Sequence, residues 1–148
     1  MAKSRIMITL DCPVNRVWDK VTDFSNSEWR SDLSKTKILD PSHFIEISKS
    51  GITTYFTVVC QNKYQKLSLL IENKNMKGKW EGLFMCHDNH TTLDFSEEVV
   101  SKKMILRPFI KSYLRKQQSL YVVDLIKALD CREIGKNQIF METGGVKQ

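Results

Sequence analysis

Residues 104–129 hold the longest stretch of a single periodicity in this chain. A helix of that length, placed after a run of strands, leaves few architectures open. On a wheel of about 100° per residue, Leu106, Phe109, Ile110, Tyr113, Leu114, Leu120, Tyr121, Leu125 and Ala128 form one broad apolar stripe, and Lys111, Ser112, Arg115 and Ser119 fall opposite. Gln117 and Asp124 interrupt the stripe. Burying an amide or a carboxylate without a partner costs roughly 2 kcal/mol or more, so a helix packed on a dry core would not place them there. The pattern predicts a helix that covers a cavity.

The rest of the chain supplies a sheet. Ile6, Ile8 and Leu10 alternate with Met7 and Thr9 over 5–10, the period of a half-buried strand. A helix follows, with Pro13 at its first position and Val14, Val17, Trp18 and Val21 on one face. The polar run Asp23-Phe24-Ser25-Asn26-Ser27 reads as its end and as the cap of a second short helix carrying Glu28 and Trp29. Strands are expected over 44–48, 53–61, 65–72, 79–86 and 91–100, with a tight hairpin at Asp88-Asn89. Connections this short exclude parallel crossovers, so the sheet is antiparallel and is expected to curl around the last helix. Leu67, Leu69 and Ile71 share one face, as do Trp80, Gly82, Phe84 and Cys86, and Leu93, Phe95 and Val99. Glu97 and Glu98 are expected to end their strand in solvent. The domain is expected to span 1–131, followed by a tail over 132–148.

A chain of 148 residues is enough for one domain without staples or metal. Cys12, Cys60, Cys86 and Cys131 are scattered, which predicts reduced thiols. No early apolar run resembles a signal sequence, and no stretch reaches the roughly 18 apolar residues of a membrane span. The expectation is a cytoplasmic protein, monomer or dimer. The net charge of +6 gathers at Lys63, Lys66, Lys74, Lys77 and Lys79 and along the last helix. It reads as a solvated face, with an acidic macromolecular partner as the alternative.

The segments ITLDCPVNRVWDKVTDFSNSEWRSDL, KGKWEGLF and HTTLDFSEEV resemble the START-like, or SRPBCC, superfamily, which includes polyketide cyclase-like proteins. The resemblance implies an α+β helix-grip fold: a curved antiparallel sheet wrapped around a long C-terminal helix, with two short helices after the first strand. It also implies a cavity between sheet and helix that holds lipids, polyketides or other apolar molecules.

The candidate ligand-binding residues follow from the two faces. Tyr55, Leu69, Ile71, Trp80, Phe84 and Phe95 come from the sheet, and Ile110, Tyr113, Gln117, Tyr121 and Asp124 from the helix. Gln117 and Asp124, two turns and about 10 Å apart, are expected to orient an apolar ligand, or else to bond to sheet backbone or water. Trp29, Arg30 and Asp32 are expected at a cavity mouth, and desolvation would make Asp124 or Glu97 a possible acid. Cys86, His87 and His90 lack the spacing of a zinc site, and the sequence has neither a nucleophile elbow nor a phosphate loop. No metal or cofactor is implied. The expected function is binding or transport of a small apolar or amphipathic ligand. The alternatives are a cyclase or dehydratase on the same scaffold and a module that binds a protein, ribosomal RNA or an anionic surface.

Overall fold

The computed structural model describes the backbone of residues 1–142 and 145–147, and side chains as far as residue 135. Nine strands lie in the order β2-β3-β4-β5-β6-β7-β1-β8-β9. They are β1 (Ala2–Leu10), β2 (Leu33–Asp40), β3 (His43–Ser48), β4 (Thr53–Asn62), β5 (Lys66–Glu72), β6 (Met76–His87), β7 (His90–Ser101), β8 (Glu133–Glu142) and β9 (Gly145–Lys147). Every pairing is antiparallel. Two helices complete the fold, α1 (Val14–Thr22) and α2 (Arg107–Leu129), the latter preceded by one 3₁₀ turn at Met104–Leu106. Of the segment expected as a tail, β8 folds back along β1, with Arg5 opposite Ile139.

Alternation along each strand sets the inner face. Ala2, Ser4, Ile6, Ile8 and Leu10 of β1 are buried, and so are Leu67, Leu69 and Ile71 of β5 and Leu93, Phe95 and Val99 of β7. The hairpin at Asp88-Asn89 forms as expected, His87 opposite His90, with Asp88 taking the left-handed conformation (φ 56°) that a two-residue turn requires.

The second short helix does not form. Between α1 and β2 the chain makes turns, because Asp, Asn and Ser side chains capture the local polar groups: Ser25 donates to Asp23, and the Asn26 side chain accepts from the Glu28 N–H. Such residues compete with helical hydrogen bonding.

α2 packs chiefly on β1, burying Leu114, Gln118, Val122, Asp124, Leu125 and Leu129. Its C-terminal half meets α1 and the strands in one continuous core that includes Ile6, Ile8, Leu10, Val17, Trp18, Leu93, Val122 and Leu125. Its N-terminal half touches a smaller cluster of Ala2, Met76, Val99 and Leu114. The stripe expected from the wheel is therefore rotated: Phe109 is 65% exposed, as are its neighbours Met104 and Ile105 to a still greater degree. No helix among the described residues is long and apolar enough to cross a membrane.

A cavity between sheet and helix as the candidate site

Between the two clusters, sheet and helix do not close on each other. A cavity of about 170 Å³ remains, opening to the surface and bounded by the inner faces of β2–β7, the loop after α1, and one side of α2. It is the size of cavities that accept a benzene ring and is smaller than the usual 300–1,000 Å³ of sites for drug-sized molecules.

The walls are mostly aromatic. Phe44 stacks on Phe24 and on Phe56, with centroids 4.2 and 4.8 Å apart. On the other side Trp80 leans on Phe95 at 4.9 Å, Tyr121 meets Phe95 edge-on at 5.9 Å, and Trp29 meets Tyr121 at 5.2 Å. Gly82 makes room for this arrangement. A Cβ there would stand 2.6 Å from the Trp80 ring and 3.0 Å from Phe95, so the indole lies over the position where a larger residue would put its side chain.

Charged groups line the same space. Arg30 donates to both carboxylate oxygens of Asp32 at 3.1 Å and to Glu46 at 3.3 Å, while its guanidinium lies 4.8 Å from the centre of the Tyr121 ring. Burial alone would weaken the charge on Arg30; Glu46, Tyr121 and Asp32 more than offset it and hold it firmly protonated. Burial raises the Glu46 carboxyl above its ordinary range in spite of Arg30. Burial likewise pushes up the hydroxyls of Tyr113 and Tyr121.

Glu97 is not bonded to this network, although the charges of both Glu46 and Arg30 reach it. Among the described residues no hydrogen bond or ion pair reaches its carboxylate. Burial, reinforced by the negative charge of Glu46, pushes its pKa up to about 7. It follows Phe95 and precedes Val99 on the inner face of β7, so the expectation that it ends its strand in solvent is corrected. Glu98, on the outer face, does meet solvent and pairs with Lys3 at 2.8 Å and Lys79 at 3.6 Å.

The structure brings seven of the eleven sequence candidates to the cavity wall: Leu69, Ile71, Trp80, Phe95, Tyr113, Gln117 and Tyr121. The other four lie elsewhere. Tyr55 occupies the outer face of β4 and is 57% exposed. Phe84 is buried in the core, edge-on to Trp18 at 4.9 Å. Ile110 packs against the Ala2–Leu114 cluster. Asp124 accepts two hydrogen bonds, from the Ser31 N–H and hydroxyl, each at 2.8 Å; it pins the loop after α1 to the helix and does not face the cavity.

Trp29, Arg30 and Asp32, expected at a cavity mouth, are among the residues that line it. Glu46 and Gln118 were not among the sequence candidates. The Gln118 amide accepts from Ser4 Oγ at 2.7 Å and donates to the Phe95 carbonyl at 3.0 Å, which fixes the helix to β1 and β7. Glu46 follows Phe44 by two residues on β3, so alternation within that short strand was the available signal. The four cysteines are free, and among the described residues no group of His, Cys, Asp or Glu is arranged to hold a metal ion.

The architecture has close counterparts among solved structures. A START superfamily protein from Mycobacterium smegmatis superposes with a TM-score of 0.80 at 12% identity, over 88% of this chain and 98% of that one. A conserved protein from Geobacillus kaustophilus gives 0.76 at 13% identity, over 88% and 98%. The Zhui aromatase/cyclase from Streptomyces sp. R1128 gives 0.75 at 10% identity, over 86% and 93%. No protein-family model and no curated protein matches the sequence. The fold is the START-like helix grip, shared with these solved structures. At these identities the likeness extends to the fold alone.

Proposed function

We propose that this chain, through residues 1–131, binds a small amphipathic molecule in the cavity between its sheet and α2. The observation that carries the reading is the open, aromatic-walled cavity itself, with Gln117 and Glu97 on its lining. Apolar contact contributes about 25 cal/mol per Å² buried, and the polar groups orient the guest. The size favours one ring or a short acyl segment over a long-chain lipid. Mass spectrometry of the natively purified protein tests the proposal. A co-purified apolar compound is expected, and it should be lost in Ile71→Trp, which fills the cavity; an empty protein that binds no apolar probe would contradict it.

A second reading is an acid-catalysed conversion of such a guest, favoured by one feature. A carboxyl that exchanges its proton near neutrality is suited to general acid–base work, and Glu97 is such a group. Asp124, held by Ser31, is not placed for it. Turnover with a pH profile that Glu97→Gln abolishes would support this reading, and the aromatase/cyclase counterpart suggests polyketide-like substrates to try first.

A further inference from the structure

The cavity contains more acid than base. Asp32 and Glu46 share Arg30 between them, and among the described residues no cation pairs with Glu97, which Arg30 reaches only through its longer-range charge. This local excess of negative charge lies inside a chain whose net charge is +6. Two further polar atoms on the lining, the Trp29 indole nitrogen and the Thr36 hydroxyl, are buried without a hydrogen-bond partner. Of the four carboxylates on the lining, Asp23, Asp32, Glu46 and Glu97, only Glu97 makes no hydrogen bond or ion pair among the described residues, whereas buried polar groups are as a rule satisfied.

Resting on the binding function proposed above, we infer that the guest carries a basic nitrogen, seated as a protonated amine against the Glu97 carboxylate within the aromatic walls. The chemistry is selective. A carboxylate guest would need Arg30, whose charge is already shared by Asp32 and Glu46 through three of its five N–H donors. A cation, in contrast, gains a carboxylate that no ion pair occupies and the company of aromatic lining residues such as Trp80 and Phe95, whose rings attract positive charge.

The charged and titratable groups around Glu97 are Asp23, Arg30 and Asp32 beyond α1, Glu46 on β3, and Tyr113 and Tyr121 on α2; the lining residues of β4, β5 and β6 are uncharged. Burial pushes the pKa of Glu97 up to about 7 and raises that of Glu46 as well. Preference for an amine should therefore be full above that pH and shrink as Glu97 takes up a proton below it.

Calorimetric titration of the full chain at pH 8 with benzylamine, benzyl alcohol and benzoate tests the inference. Benzylamine is expected to bind at least tenfold more tightly than benzyl alcohol, with benzoate weakest. Glu97→Gln should bring amine and alcohol within about twofold while its thermal melt shows an intact fold, and Glu97→Met serves the same purpose if the amide variant does not fold. Alcohol or benzoate binding as tightly as the amine, or an amine preference that survives loss of the carboxylate, would overturn the inference and leave the binding function standing. Binding of none of the three would overturn both.

Discussion

The Asp124 carboxylate is tied to Ser31 by two hydrogen bonds of 2.8 Å, one from the backbone N–H and one from the hydroxyl. This joint fixes the loop that carries Trp29, Arg30 and Asp32 to the C-terminal half of α2, and so holds that part of the cavity wall in place. Hydrogen bonds to a charged acceptor contribute about 1.5–3 kcal/mol, and an abandoned buried donor adds to the loss. Asp124→Ala should lower stability by about 2–4 kcal/mol. Urea unfolding checks this, through a lower midpoint at unchanged slope.

Glu97 makes stability depend on pH with a definite sign. The unfolded chain loses this proton near 4.5, while the folded protein keeps it to about 7. Stability from this group is thus full below pH 4.5, falls as pH rises from 4.5 to 7, and is constant above. The loss amounts to roughly 3 kcal/mol at most. Glu97→Gln should remove it, making the variant more stable than the parent at pH 8 and about equal to it at pH 4. Paired urea titrations at the two pH values decide the matter, and equal stability at pH 8 would contradict the burial of this carboxyl.

Arg30 bridges two carboxylates that would otherwise repel within a confined space. Removing one member of a buried ion pair typically costs 3–5 kcal/mol because its partner is left charged and unsolvated. Arg30→Met should cost about 3 kcal/mol or more, and adding Glu46→Gln should recover part of that loss. Thermal melts of the single and double variants measure the coupling.

Much of this fold is legible in the sequence, and the reason differs from element to element. Strand and hairpin positions follow from alternation and turn chemistry, so β4 to β7 fall within a few residues of expectation. The helix is also legible, yet its buried face is not. Apolar residues surround α2, with Phe109 and Val123 exposed, and the wheel therefore selected Gln117 although Gln118, one residue on, is the amide sealed against β1. Glu97 is misplaced by sequence for a different reason: its charge suggested solvent, while the inward parity of Leu93, Phe95 and Val99 pointed the side chain inside. Asp124, expected to orient a ligand or else to bond to sheet backbone or water, is bound to a loop instead. Its partner Ser31 lies 93 positions earlier, in a loop whose path no local pattern specifies.

Gly82 limits the shape of the cavity. Its replacement by Ala would drive a methyl group to 2.6 Å from Trp80 and 3.0 Å from Phe95, so the indole must swing away. Overpacking of this kind costs about 1–3 kcal/mol. Gly82→Ala should show a shifted tryptophan emission spectrum and at least tenfold weaker binding of an apolar probe.

The most direct test of the hollow between sheet and helix is an NMR titration with benzyl alcohol, following backbone amides and the three indole N–H signals. The account predicts saturable shifts at Leu69, Trp80, Phe95, Glu97, Gln117 and Trp29, with little change at outward-facing Tyr55 and Leu70. Shifts scattered over the outer face, or no saturable shift at the lining residues up to the solubility limit, would contradict it.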